Sequence, residues 1–486
     1  MKRVLVLKFT RLYLLACLLA LTGELQAQRN NVFYVEQFKG STVAAKVTAA
    51  QASCNANTNV PCVIVFDPTL ANYPAGSLPS RCTQCIWQDY RALPPALDAL
   101  GNVHGAASST DGNVAVFSGT SGVSLKDGGV LLSSLNPYTG FKNRLINGDM
   151  RIDQRYAGNS VTASSGIYPL DRWITVVAQS SKYQMQQNLG SVAPPAGFTN
   201  YLGVKSLSAY TALATDYFLI EQRIEGLNTA DLAWGTTNAQ AVTLSFWVYS
   251  SLTGAFGGVV RNSAENYSYP FSYTIAVANT WQKVAITVPG PTTGTWLTNS
   301  SIGIKVMFSL SMGSNYVCAP AVWVVSTCGT STGATNVLAT NNATWNLTGV
   351  QFESGSQATA FERRAYGSEL LLAQRYYYRR SSASTADPIA MMQAESTTGV
   401  FGKLFDLPVT MRGNPTVGLS SATHITPFSA VGVALSAFAT ATNLVGNQRS
   451  IFVWGSLDGS SGIVAGNAVM ITFNTASGWI DASSEL

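Results

Sequence analysis

The stretch "TAFERRAYGSELLLAQRYYYRR", residues 359–380, crowds arginines and tyrosines into a chain in which only 11% of residues are charged. Such a cluster could be a nucleic-acid patch, a catalytic centre or a join between two domains. Other chemistry-bearing residues are sparse. His104 and His424 are the two histidines, and neither has a His or Cys nearby at ligand spacing, which argues against zinc. No G-x-S-x-G elbow, P-loop or dinucleotide fingerprint is present. A Ser-His-Asp triad stays open, because its members need only meet in space. Glycoside hydrolysis would need two acids on facing strands. Glu265, Asp149 and Asp153 are instead isolated, turn-like acids that read as solvated or capping side chains. Such acids can hold calcium, but the sequence does not establish a calcium site. No catalytic residue, metal ligand or cofactor is assigned.

Cysteine is the remaining reactive type. Cys17 lies in the first 27 residues, leaving Cys54, Cys62, Cys82, Cys85, Cys318 and Cys328. An even number in an exported chain suggests disulfides. Local pairing (54–62, 82–85, 318–328) is the simplest arrangement among several. "CTQC" could also be a redox or zinc half-site, but it does not sit at a strand-to-helix turn.

The elements that must position these residues begin with "MKRVLVLKFTRLYLLACLLALTGELQAQ". Basic residues, the apolar run Leu12–Leu21 and "LQA" follow in the order of a secretory signal peptide, with cleavage expected after Ala27. The alternative is an uncleaved anchor, although the run is short for a span. No later segment is a spanning candidate. The formal charge is +5, and the first 27 residues carry four of the basic and one of the acidic side chains. The remainder is near neutral, which gives no case for a nucleic-acid binder. High Gly, Ser, Thr and Asn content with few charges suits an extracellular β-protein. A secreted location is the expectation from these features.

Residues 28–100 contain a strand, a helix and a strand ("VFYVEQF", "VAAKVTAAQA", "CVIVFD"). Residues 101–141 are rich in Gly and Ser, broken by short apolar pairs. They read either as a flexible linker or as a thin apolar stripe that only intertwined copies can bury, which points to a homotrimer. From residue 142 the pattern has period two. Val242, Leu244, Phe246 and Val248 alternate with Thr243, Ser245, Trp247 and Tyr249. "KVAITVPG", "SIGIKVMFSL" and "TWNLTGVQFE" continue it. This predicts an all-β chain with an antiparallel sandwich over 142–366. "SELLLAQRYYYRR" predicts a helical joint over 367–380, and a smaller C-terminal β domain follows over 381–486. The Arg/Tyr cluster therefore falls where one β domain hands over to the next. A structural joint is favoured there over an active site, because tyrosines and arginines stack and pair with acids such as Glu353, Glu362 and Glu369.

The strand–helix–strand run resembles the N-terminal cap of pectate-lyase-like parallel β-helix proteins. No coil repeat follows it. "ASSTDGNVAVF", "GTSG" and "LKDGGV" resemble a segment common in phage tail fibres. "NRLINGDMRIDQR", "YPLDRW", "EQRIEG", "TLSFWV", "NTWQKVAITVPG", "LTGVQFESGSQATAFERRAYGSELLLAQRYYYRR", "PVTMRGNPTV" and "WIDASSEL" resemble a tail-fibre and tail-appendage module. That module joins a carbohydrate-binding-module-like jelly roll to a small C-terminal β domain. The resemblance implies a non-catalytic glycan or receptor binder, commonly trimeric. The signal peptide and the Cys318/Cys328 pair depart from it. Competing readings are a polysaccharide-degrading β-helix enzyme and a purely structural fibre or assembly protein.

Sugars are gripped by aromatic rings with a few polar groups beside them. Trp247 and Tyr249 lie opposite the aliphatic face of their strand. Arg261, Asn262, Tyr267 and Tyr269 follow in "GVVRNSAENYSYPFSY", and Trp323 sits beside the expected 318–328 staple. Arg261 and Trp323 lead this set because they lie near strand ends or a stapled loop. Against it, Tyr267, Tyr269, Phe271, Tyr273 and Ile275 share one strand face, as a core row would.

Overall fold

The computed structural model describes residues 32–34, 49–50, 52, 62–66, 85–89, 113–117, 125–131, 141–429, 443–456 and 464–486. The chain divides into two compact units, 1–132 and 133–486. In the first, β1 (Val32–Tyr34), β2 (Cys62–Phe66) and β3 (Cys85–Asp89) pair in parallel and in that order. Parallel neighbours need a crossover, and Ala49, Ala50 and Ala52 are helical between β1 and β2. β4 (Asn113–Phe117) and β5 (Leu125–Leu131) form an antiparallel hairpin within the Gly/Ser-rich segment 101–141. The expected signal peptide, His104, Cys54 and Cys82 lie outside the described residues, as do the side chains of Cys62 and Cys85.

Among its described residues the second unit is all-β apart from one helix and short 3-10 turns. Its first part is built from β6 (Val161–Thr162), β7 (Trp173–Val177), β8 (Tyr183–Gln187), β9 (Leu202–Ser206), β10 (Tyr217–Glu225), β11 (Val242–Ser250), β12 (Gly254–Asn262), β13 (Ser268–Ile275), β14 (Gln282–Val288), β15 (Ile302–Met312), the short pair β16 (Val317–Cys318) and β17 (Thr330–Ser331), and β18 (Thr344–Ser354). The order β13-β12-β15-β10-β7 makes a five-stranded sheet, and β14-β11-β18-β9-β8-β6 a six-stranded one. Neighbours within each sheet are antiparallel. The two sheets face each other as a jelly-roll sandwich.

Period-two alternation puts one side of every strand between the sheets. Val242, Leu244, Phe246 and Val248 are fully buried there, against Phe218, Phe256, Phe271, Phe308, Trp345 and Phe352. Each such side chain contributes roughly 2–3 kcal/mol by leaving water. Tyr269, Phe271, Tyr273 and Ile275 of β13 belong to this core row. The β11–β18 register shifts between Ser245 and Trp247. Gly349 sits at that bulge with φ +61°, a conformation glycine adopts without steric cost.

α1 (Tyr366–Gln374) ends well before residue 380. The expected helical joint is half strand: β19 (Tyr377–Ser381) continues it as an extended ladder. The run of tyrosines favours a pleated, half-buried surface, and β19 finds a partner in β27 (Trp479–Ser483). Between them lie β20 (Asp387–Ala394), β21 (Gly399–Asp406), β22 (Thr416–Leu419), β23 (Ile425–Ser429), β24 (Asn443–Gly446), β25 (Ser450–Ser456) and β26 (Ala468–Phe473). They form sheets β19-β27-β22 and β23-β26-β20-β21-β25-β24 around a separate core that includes Val400, Ile451, Ile471, Phe473 and Ile480. Among the described residues no helix is long and apolar enough to cross a membrane.

Candidate functional site

Trp247 and Tyr249 do lie opposite the buried residues of β11, but the sheet face they occupy carries a second layer. The loop over residues 188–200 crosses it. Thr348 Oγ1 donates to Asn200 O at 2.7 Å, and Trp281 Nε1 donates to Ala193 O at 2.8 Å. A side chain at Gly349 would meet Phe198 at 2.7 Å and Trp247 at 3.0 Å, so the two rings flank that glycine closely. Tyr249 packs on Trp281 at 5.5 Å. Both candidates are half-buried packing residues and do not form an open platform.

Three further candidates are corrected by burial. Arg261 is 4% exposed, Asn262 1% and Tyr269 4%. Arg261 Nε donates to Cys328 O at 2.8 Å, and its guanidinium pairs with Glu265 at 3.0 Å. Arg261 is thus a strut beneath the stapled loop. Burial would push the Glu265 carboxyl up, but Lys305 and Arg261 hold it below the ordinary glutamate range. Asn262 Oδ1 accepts from the backbone N–H groups of Asn266 and Tyr267, which shapes the β12–β13 turn. Alternation placed Tyr269 in the core row, but it could not show that Arg261 is buried, because the loop that covers Arg261 comes from residues 314–335.

Tyr267 and Trp323 are half-exposed and stacked, with ring centroids 5.4 Å apart and planes 17° from parallel. Trp296 stands edge-on to Trp323 at 5.4 Å, and Trp234 supports both from below at 4.7 and 5.6 Å. Trp323 Nε1 donates to Pro289 O at 2.7 Å, and the Tyr267 hydroxyl meets Thr293 Oγ1 at 2.7 Å. The Cys318–Cys328 disulfide, the one among the described residues, closes the loop that carries Trp323. Trp234 and Trp296 were missed in the sequence because neither lies on an alternating strand.

The Arg/Tyr cluster is a network between the two β domains. Glu362 accepts from the backbone of Lys142 and Asn143 at 3.0 and 2.7 Å. Arg364 pairs with Glu362 and Glu369 at 2.9 and 3.1 Å and lies over the Phe141 ring. Glu225, 1% exposed, takes Arg375 at 2.8 Å and the Tyr376 hydroxyl at 2.7 Å. Arg172 stacks on Tyr376 at 3.6 Å and pairs with Glu485. Arg155 lies over the rings of Tyr377 and Tyr168 at 3.5 and 4.6 Å and pairs with Asp171 and Glu485 at 2.9 and 3.0 Å. Burial outweighs Arg155 and pushes the Asp171 carboxyl up to about 7.

Next to this network lies a cleft of about 500 Å³. The sandwich contributes Arg155, Tyr156 and the turn Gly166–Tyr168, and the C-terminal domain contributes Tyr377 and Arg379 from β19 and Trp479 and Asp481 from β27. Asp153 accepts from the N–H groups of Tyr156 and Gly158 at 2.8 and 2.7 Å, fixing the first loop. Tyr377 and Arg379 share one face of β19 by alternation, and Arg379 is the cross-strand partner of Asp481. Asp481 Oδ2 accepts from the Tyr377 hydroxyl at 2.7 Å and from Arg379 at 3.0 Å. Arg379 also lies 4.1 Å over the Trp479 ring. Burial, then Asp481, drives the Tyr377 phenol well above its usual range.

The isolated acids have structural partners. Asp149 pairs with Arg151, and Glu265 with Arg261 and Lys305. His424 Nδ1 meets Ser420 Oγ at 2.9 Å. Among the described residues no three or more His, Cys, Asp or Glu side chains gather as metal ligands would.

No protein-family model matches the chain, and no curated protein is similar to it in sequence. Solved structures similar to part of it include a structure described as CBM4, at 12% identity over 43% of this chain and 98% of that one, with a TM-score of 0.23. The enzymatically active domain of bacteriophage CBA120 tailspike protein 4 is similar at 10% identity over 60% of this chain and 34% of that one, TM-score 0.26. A putative sugar binding protein from Bacteroides thetaiotaomicron is similar at 10% identity over 44% of this chain and all of that one, TM-score 0.26. The sandwich assignment rests on the strand pairing itself.

Proposed function

We propose that this chain is a non-catalytic glycan- or receptor-binding protein, exported or carried on a virion tail, and assembled as a homotrimer of tail-fibre type. The observation that carries the binding role is the group of half-exposed rings Tyr267, Trp296 and Trp323 at one end of the sandwich. Rings of this kind cover the apolar C–H faces of a sugar, while nearby polar groups take its hydroxyls. Here Asn266, Thr293 and Thr295 are exposed beside them. Trp234 beneath and the stapled loop beside them hold the rings in place, so little order is lost on binding. The non-catalytic reading is supported by the acids of the sandwich, whose carboxylates are tied to arginine, lysine or backbone N–H groups. Homotrimer formation is assigned to residues 101–141, whose thin apolar pattern suits burial between copies.

The test is a glycan array followed by Trp323→Ala and Trp296→Ala. Binding by the parent, lost in both variants while circular dichroism shows the fold retained, is the expected result. Full retention in both, or no glycan bound by the parent, rejects this site.

A further inference from the structure

We infer that the cleft between the sandwich and the C-terminal β domain is a second binding site, and that its ligand is a neutral saccharide. The inference stands apart from the ring cluster at the sandwich end, with which it shares no residue.

Size comes first. About 500 Å³ falls within the range of small-molecule sites and accommodates a short saccharide. The lining then selects the chemistry. Tyr156, Tyr168 and Trp479 are half-exposed, so aromatic surface is offered from both domains. Ile167 is the one aliphatic side chain in the lining, which suits a ligand with apolar faces and a polar rim better than a wholly apolar one. Arg379 and Asp481 supply adjacent donors and an acceptor at fixed spacing. Such a pair can bracket neighbouring hydroxyls of a sugar.

Charge favours the neutral ligand over an acidic one. Two arginines line the cleft, but neither is free. Arg155 is bound to Asp171 and Glu485, and Arg379 to Asp481. An anionic sugar gains little from arginines whose charge is already offset by carboxylates, and it meets the Asp481 carboxylate in the lining. A neutral sugar meets no such repulsion. Its binding should also be nearly independent of salt, since no net charge is neutralised.

The experiment uses the full mature chain and a panel of neutral disaccharides (cellobiose, maltose, lactose and chitobiose) beside digalacturonic acid. Saturation-transfer NMR detects contact and calorimetry gives Kd. At least one neutral disaccharide should bind, with Kd changing less than about twofold between 0.05 and 0.5 M salt. Tyr156→Ala and Trp479→Phe should each weaken it about tenfold or more, while Trp323→Ala leaves it unchanged. Circular dichroism melts of each variant separate lost contact from lost folding, and Tyr156, on a loop, is the position that preserves the fold. The inference is overturned if no neutral disaccharide binds. It is equally overturned if Tyr156→Ala binds as the parent does, or if digalacturonic acid is preferred with a steep salt dependence. Loss of cleft binding in Trp323→Ala alone would assign the signal to the sandwich-end rings.

Discussion

Arg364 gathers more of the joint than any other side chain of the 359–380 stretch. It pairs with Glu362 and Glu369, donates to the carbonyls of Asn143 and Leu145, and stacks on Phe141. Its side chain is 8% exposed, and that of Glu369 5%. Arg364→Ala leaves a buried carboxylate short of its cation, which costs about 3 kcal/mol. Urea denaturation should show that loss. Arg364→Lys should recover little, because one ammonium cannot reproduce the guanidinium fork. Asp171 permits a second test at this scale. Burial raises its pKa to about 7, above the ordinary aspartate value it regains on unfolding. The folded chain therefore holds a proton there that the unfolded chain releases. That contribution to stability is fully present below about pH 4 and is lost as pH rises through about 7. Between pH 6 and 8 the parent should lose stability relative to Asp171→Asn, by at most about 1.4 kcal/mol per pH unit. Parallel denaturation curves against pH check this.

At the scale of elements, the loop over residues 314–335 decides what the outer face of the five-stranded sheet can do. Leu219, Val259 and Met307 point out of that sheet yet are buried, packed with Cys328 and flanked by Cys318 and Val324. The loop is held by the Cys318–Cys328 link, ten residues apart, and by the short pair β16–β17. Closing a loop of this length stabilises the fold by about 3 kcal/mol in the chain-entropy account. Cys318→Ser with Cys328→Ser should therefore lower the melting temperature. It should also open residues 319–327 to limited proteolysis, read by mass spectrometry. Loss of ligand at Trp323 should accompany it, since that ring rides on the same loop.

For the whole molecule, the second unit joins two β domains through a charged and aromatic seam. Isolated surface ion pairs are worth little, but here Glu225, Asp171 and Glu369 are buried and every one is paired. The two domains of this unit should unfold together in calorimetry. Export and assembly belong to the same scale. Secreted protein is expected to start at Gln28 by intact mass, and the mature chain to scatter light as a trimer. A chain that stays monomeric at high concentration would return residues 101–141 to the role of flexible linker.

The strands of the sandwich were legible in the sequence because a strand with one buried face must alternate. Val242 to Val248 read correctly for that reason, as did the core row of β13. The local 318–328 pairing was legible too, since a short loop brings its ends together cheaply. What lies above a strand was not legible. Arg261 and Trp323 looked equivalent in sequence, yet a loop from residues 314–335 buries the first and carries the second. The strand half of the joint was equally hidden. Tyr377–Arg380 extends only because Trp479–Ser483 arrives from about a hundred residues away to pair with it. The cleft takes one wall from residues 155–168 and the other from β19 and β27. Tyr156 and Trp479 become neighbours only when the two domains close on each other, because long-range packing, and no local pattern, sets that distance.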